Sequence, residues 1–403
     1  MEPNGEAEEH LLAGFRRGET TDLGPGEPAD PAFGLDSWPP KRVVRAEFVR
    51  ALLLDAEMLE PSHPRLVSLA GAQIVGALRL SNLELTVDLE LRRCYFTEPV
   101  VLTNLSARDL DFTGCRMPNL AASGLAAGLV ELAGARTGQI DLRRARIRDD
   151  LSLDAATIGD ESYVDDPDYL ALYADGLAVE GHLTATGLAA AGQIRLVGAR
   201  ITGSLGLNHA HIANPAGVGV DASRITVEGG VYATVEIDGE LVLTGAAIGT
   251  LLSLLEARLS APHGRPTQEP GWAVRAGGLT VDGHLIANGV QLTGWTEFQA
   301  AVVRGVFEMD RVSIGPHPSE AVGMLDLTGM EAQSLSLRDG RLNTFLKLDR
   351  LRVAGNVTLT NSTIGPEIAE TGPDWPGLSA DAATVAGTFS LEGVYRPAAS
   401  CPL

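Results

Sequence analysis

The chain has 403 residues, 46 of them glycine and only 5% aromatic, with a formal net charge of −21. So few rings exclude an aromatic core, and so much acid excludes plain binding to nucleic acid or to an anionic membrane. Three cysteines (Cys94, Cys115 and Cys401) are too few for a disulfide scaffold. No apolar run approaches the roughly 18 residues needed to span a bilayer. The acidic opening MEPNGEAEEH is unlike a signal peptide, so a cytoplasmic protein is expected.

Residues 1–40 are rich in Glu, Gly and Pro and are predicted to be a disordered acidic segment. Residues 41–66, after Pro39 and Pro40, are expected to form a helical cap. Within KRVVRAEFVRALLLDAEMLE (41–60), Val44, Phe48, Ala51, Leu52 and Met58 suit one helix face. Arg42, Arg45 and Arg50 form the dense basic patch of the sequence. The segment has two readings: a cap that shields the first coil from edge pairing, or a helix that docks a partner through these arginines.

From residue 67 to 396 a repeat takes over. In GQIRLVGARITGSLGLNHAHI (192–212), Ile194 and Leu196 recur as Leu205 and Leu207, and Ala199 and Ile201 recur as Ala210 and Ile212. The unit reads Φ-x-Φ-x-x-Φ-x-Φ-x-G-x, with Φ apolar. Its glycine appears as Gly181, Gly192, Gly203, Gly283, Gly294, Gly305, Gly355 and Gly387. Units start at Val67 and Leu78 and continue to Leu378 and Phe389, with Thr296 a poor match. Each Φ-x-Φ predicts a very short strand with both apolar side chains on one face, and small residues or Gly turn the corners. The pattern lacks the i, i+3, i+4, i+7 spacing of amphipathic helices. An all-β, right-handed quadrilateral parallel β-helix is predicted, with about 13 coils at about 4.8 Å each. Residues 397–403 form a tail. The absence of a strong C-terminal cap leaves an end-to-end homodimer open.

Insertions interrupt the repeat at 159–171, 213–219, 260–273, 315–324 and 365–377, each four units after the last. A coil of two units places them all on one edge. Cys94 and Cys115, two units apart, then stack in adjacent coils as buried thiols. Tyr163, Tyr169, Trp272 and Trp375 lie in or beside the insertions and are the candidate binding edge, set against simple packing of the loops onto the coil.

The sequence carries no dinucleotide fingerprint, phosphate loop or nucleophile elbow. No catalytic residue, cofactor or metal is expected. His209 and His211 form an H-x-H without a nearby Cys or carboxylate and are predicted to be a solvated pair. Asp160, Glu161, Asp165, Asp166 and Asp168 carry oxygens of the kind that hold Ca²⁺, but their spacing is not that of an EF-hand. A solvated acidic loop is expected there.

The stacked short units resemble those of pentapeptide-repeat and quadrilateral β-helix proteins. RVVRAEFVRALLL (Arg42 to Leu54), with GARITGSLGL and GAAIGTLLSL, is more closely similar to a bacterial, largely actinobacterial, β-helix group over roughly residues 41–395. Some members of that group are labelled membrane-associated oxidoreductase. The resemblance implies the fold, and its label implies an enzyme of unspecified reaction. From the residues themselves, a non-catalytic scaffold or protein-interaction rod is expected. The alternative is a DNA mimic acting on a DNA-binding enzyme, as some pentapeptide-repeat proteins do. Charge density argues against mimicry. Residues 1–66 carry −6, leaving −15 for the remainder, or one net charge per roughly 4 Å against about 1.7 Å in duplex DNA.

Overall fold

A computed structural model describes residues 1–24, 38–55, 65–163, 166–261, 271–316, 323–365 and 377–394. It comprises two compact units: Met1–Asp160 with Leu170–Ala190, and Glu161–Tyr169 with Ala191–Leu403. The fold is all-β and solenoid-like: very short parallel strands assemble into two sheets, with helices at the N-terminal end. No helix among the described residues is long and apolar enough to cross a membrane.

The first unit corrects the expectation of a disordered N-terminus. Glu6–Arg17 is a helix, α1, that buries Ala7, Leu11 and Phe15. Their i, i+4, i+8 spacing makes one apolar stripe inside a stretch whose overall composition looks unstructured. Gly18, left-handed at φ 63°, ends the helix. β1 (Thr21–Asp22) follows, and residues 25–37 lie outside the described set.

The cap helix is also shorter than expected. Val43–Arg45 form strand β2, and the helix proper, α2, spans Ala46–Leu54. Val44 is therefore a strand residue, and Met58 lies outside the described residues. Extension wins at 43–45 because the next coil offers a partner: β1 pairs with β3 (Leu66–Ala70), and β2 with β4 (Gln73–Val75). Both sheet edges of the first coil are thus closed by backbone hydrogen bonds.

Beyond this cap the register carries the fold. Val67, Leu89, Leu110, Val130, Leu151 and Leu183 lie side by side in one sheet. Leu78, Val100, Leu120, Ile140 and Leu172 form the matching column of the other. Successive members are two units apart, so two units close a coil, and none of these side chains is more than 2% exposed. Cys94 and Cys115 stack as expected, buried and free. The Cys115 thiol donates to Leu91 O at 2.7 Å, and the Cys94 amide reaches the Cys115 sulfur at 3.4 Å. In the repeats of these two columns the fifth position turns the chain through the left-handed region. Glycine takes it at Gly114, Gly124 and Gly134, but Arg93, Asn104 and Arg144 do so as well.

In the second unit the columns run Leu205, Val231, Leu252, Leu285, Phe307, Leu335, Val357, Phe389 and Ile194, Val220, Leu241, Val274, Thr296, Leu325, Leu346, Leu378. Large and small side chains alternate at the third position of successive coils. One series reads Leu196, Ala222, Leu243, Ala276, Phe298, and the other Leu207, Ala233, Leu254, Ala287, Met309, all buried. Where the third position is small the sixth is large, as with Ala222 and Ile225 or Ala276 and Leu279, which keeps the core filled. In the last described coil Phe389 and Leu391 are 36% and 44% exposed.

Candidate functional site

Two regions carry the residues singled out from the sequence, one in each unit. In the second unit the insertions share a corner. One flank is the column Ile212, Ile237, Leu259, Leu292, Ile314, Leu342, Ile364. The other is the Val220–Leu378 column given above. Insertions 213–219, 260–273, 315–324 and 365–377 fall between these flanks on alternate coils, while the intervening coils cross at Gly239, Gly294 and Asn343. Residue 213–219 is not a loop: His211–Asp221 is one strand with register shifts after Ala213 and Val218.

At Gly192 and Gly294 contact requires glycine. At Gly192 (φ 117°) a Cβ would lie 2.6 Å from Tyr169 Cδ1, and at Gly294 (φ 122°) 2.6 Å from Gly271 O. The missing side chain lets Tyr169 and Gly271, at the ends of two insertions, approach the next coil. Tyr169 in turn stacks on Tyr163, with ring centroids 4.8 Å apart and 16° between planes, and Tyr163 is 50% exposed. Asn214, fully buried, donates to Pro167 O at 3.3 Å and Val218 O at 2.8 Å. These bonds tie the first insertion to the next. Trp272, half-buried, meets Trp295 edge to face at 5.5 Å. Trp375 lies outside the described residues. The structure therefore brings Tyr163 together with Tyr169, and adds Trp295 as the partner of Trp272. Trp295 was missed because it precedes Thr296, the weakest match to the repeat.

Beside the tryptophans runs a ladder of charge, Arg275, Glu297, Asp326 and Lys347, in register on successive coils. Glu240, 1% exposed, pairs with Arg275. Asp326, also 1% exposed, accepts from Gln299 Nε2 at 2.7 Å and Thr328 N at 2.9 Å, with Lys347 Nζ at 3.6 Å. Burial holds the Glu297 carboxyl above its ordinary range; Arg275 pulls it back, and the Asp326 and Glu240 charges push it up further. Arg275 thus faces both Glu240 and Glu297, while Lys347 and two hydrogen-bond donors face Asp326.

The histidines do not converge. His209 occupies a left-handed corner at φ 58°, and His211 Nδ1 lies 3.6 Å from Glu236. His284 Nδ1 accepts from Val306 N at 3.1 Å, linking adjacent coils. In the acidic loop Asp166 folds back to accept from the Asp168 amide at 3.0 Å, and Asp165 lies outside the described residues. Among the described residues there is no group of three or more His, Cys, Asp or Glu that could hold a metal ion.

In the first unit the three arginines have separate fates. Arg42, 5% exposed, donates from Nε to Gly71 O at 2.7 Å and lies over the Trp38 ring at 4.9 Å. Arg45 binds Glu8 with Nη2 at 2.6 Å and Nε at 2.9 Å, and its amide donates to the same carboxylate at 3.0 Å. Glu8 is 1% exposed. Burial pushes its carboxyl up, but the Arg45 side chain, the Arg45 amide and the Asn4 amide outweigh burial and hold it below the usual range. Arg50 is exposed and donates to Arg79 O at 3.1 Å. A groove of about 870 Å³ beside α2 is lined by Arg45, Glu47, Arg50, Val75, Arg79 and Glu98. Two of the three arginines thus hold the cap together, and the exposed charge of the groove is mixed.

No family model, curated protein or solved structure matches the chain.

Proposed function

We propose that this chain is a non-catalytic cytoplasmic scaffold, built as a right-handed, four-sided β-helix, whose second unit presents the insertion corner to another protein. Four short strand segments per two-unit coil support the four-sided reading. The observation that carries the function is the corner itself: insertions recur on alternate coils at one place in the register, and Tyr163 is half exposed there on a stacked ring. Rigid aromatic rings on a fixed backbone bind at low entropic cost.

Two features favour this reading over its alternatives. A DNA mimic needs a continuous acidic stripe, whereas acid on these walls is interleaved with base. Examples are Arg92–Asp111 at 2.6 Å, Arg304–Asp282 at 2.8 Å, Arg338–Asp310 at 2.7 Å and Arg352–Glu331 at 2.8 Å. An enzyme needs a deep pocket with converging polar groups. In the groove of about 590 Å³ along Val302, Arg304, Glu331, Gln333, Arg352 and Thr384 the charged groups are already paired, Arg352 with Glu331 and Arg304 with Asp282.

The test compares three baits in the native cytoplasm: the natural chain, the double variant Tyr163→Ala/Tyr169→Ala, and Arg50→Ala. The expected result is one protein retained by the natural chain and by Arg50→Ala, lost with the tyrosine variant, and bound directly when purified. Equal capture by all three overturns the insertion corner as the binding surface.

A further inference from the structure

The core of the second unit contains a space that the repeat fails to fill. It is enclosed by aliphatic side chains alone, among them Leu207, Ala222, Val231, Ala233, Leu243 and Leu254, with no polar surface, and measures about 30 Å³. Inward residues here show it independently: Leu207 is 7% accessible, and Val231 and Leu243 6% each, against 1% at Ala287 and Val290. A water-sized sphere therefore fits inside the core at this level.

The sequence explains why. In this unit an alanine at the third position is offset by a larger residue at the sixth: Ala222 by Ile225, Ala276 by Leu279, Ala287 by Val290. Ala233 breaks the rule. Its corner lacks the left-handed residue present in the other units as Arg224, Gly245 or Gly289, so the chain reaches Val235 one residue early. The compensating valine, the same residue that offsets Ala287 as Val290, is displaced by one position. The column residue of this strand is also Val231, between Leu205 and Leu252.

We propose that this space is a dry binding site for one small nonpolar molecule of about the size of a xenon atom. Its volume exceeds what one water needs, yet it offers water no hydrogen-bond partner, and apolar cavities of this kind stay empty of water while accepting apolar atoms. Binding gains dispersion contacts that the void forfeits. The site owes nothing to the insertion corner and stands or falls separately from the scaffold reading.

Xenon is the probe, read by ¹²⁹Xe NMR on the full chain and by anomalous density in xenon-pressurised crystals. The expected result is one site in contact with Val231 and Ala233. Ala233→Leu fills the space, so it should abolish xenon binding and raise the melting temperature by a few degrees. Val231→Ala enlarges it and should strengthen xenon binding severalfold, which keeps the test decisive even where Ala233→Leu does not fold. Xenon absent from this position in the natural chain, or undiminished in Ala233→Leu, overturns the proposal, as does Val231→Ala with unchanged affinity.

Discussion

The coils between Leu110 and Ile147 and those that carry insertions in the second unit obey the same repeat with different fidelity. In the first region strands are two or three residues long, and three successive corners use glycine at φ 64–68°. In the second, strands run to seven and eleven residues, and register shifts follow Trp272, Ala213 and Val303. Buried polar atoms without partners are more numerous there, Asn214 Oδ1, Trp295 Nε1 and Thr296 Oγ1, against Thr137 Oγ1 in the first region. Local rules are kept more closely where the chain only has to stack than where it carries loops.

Glycine substitutions sharpen the comparison most. Gly134 (φ 64°) has open space around it, the nearest atom being Gly114 Cα at 3.9 Å. Gly134→Ala should cost only the left-handed backbone penalty, about 1 kcal/mol. Gly192→Ala adds a collision with Tyr169 to an unfavourable φ and should cost about 3 kcal/mol. It should also unstack Tyr169 from Tyr163, visible in tyrosine fluorescence. Urea unfolding of both variants checks this. Equal costs would mean that the insertion corner is no more constrained than a plain coil.

Much of this architecture could be read from the residues, for a physical reason. Columns such as Val67 to Leu183 are set by a local period, and a parallel stack repeats that period in space. Contacts between segments far apart in sequence were not legible. Nothing local announces that the Arg42 guanidinium reaches the Gly71 carbonyl, so an interior clamp looks like an exposed basic patch. Helix α1 was hidden because Glu and Gly dominate its surroundings while only Ala7, Leu11 and Phe15 define its stripe. At the site, the tyrosines were found by their position in an insertion. Trp295 was lost because it precedes a threonine where the repeat calls for an aliphatic residue. The left-handed fifth position was overlooked because residues as different as Gly, Asn, Arg and His fill it.

The next contrast is between buried carboxylates. Glu8, in the first unit, is held ionised by Arg45. Glu8→Gln should cost about 2 kcal/mol, the range for a hydrogen bond to a charged group, because Arg45 is part-exposed. The loss should appear as faster amide exchange in α1. Its pH dependence has a definite sign. The folded carboxyl titrates below the unfolded value of about 4.3, so its contribution is whole above that range and is lost as pH falls through the folded value. Exchange in α1 that is indifferent to acid would remove Glu8 as the pin of the cap.

Thr296 tests the cost of irregularity directly. It is wholly buried in an aliphatic column, and its hydroxyl has no partner. Thr296→Val keeps the shape and removes the orphan, and should stabilise the chain by about 1 kcal/mol. The same exchange at Thr388, exposed in the last described coil, should be neutral. A destabilised Thr296→Val would mean that the hydroxyl is satisfied after all.

Glu297 supplies the smallest effect and the opposite sign to Glu8. Burial and the nearby Asp326 and Glu240 charges raise its carboxyl above the ordinary range, with Arg275 opposing. The folded state therefore binds its proton more tightly than the unfolded chain does. That contribution is present at low pH and fades as pH rises from the ordinary glutamate value through the raised one. The group is half exposed, so solvent screening keeps the effect below about 1 kcal/mol. Glu297→Gln should leave neutral-pH stability unchanged or slightly higher and flatten the fall between acid and neutral pH, measured as the urea midpoint. If the variant instead loses stability at neutral pH, Glu297 serves mainly as the partner of Arg275. The ladder would then be held by that pair, as the cap is held by Glu8 and Arg45, and the two units would differ in their loops but not in how they use buried charge.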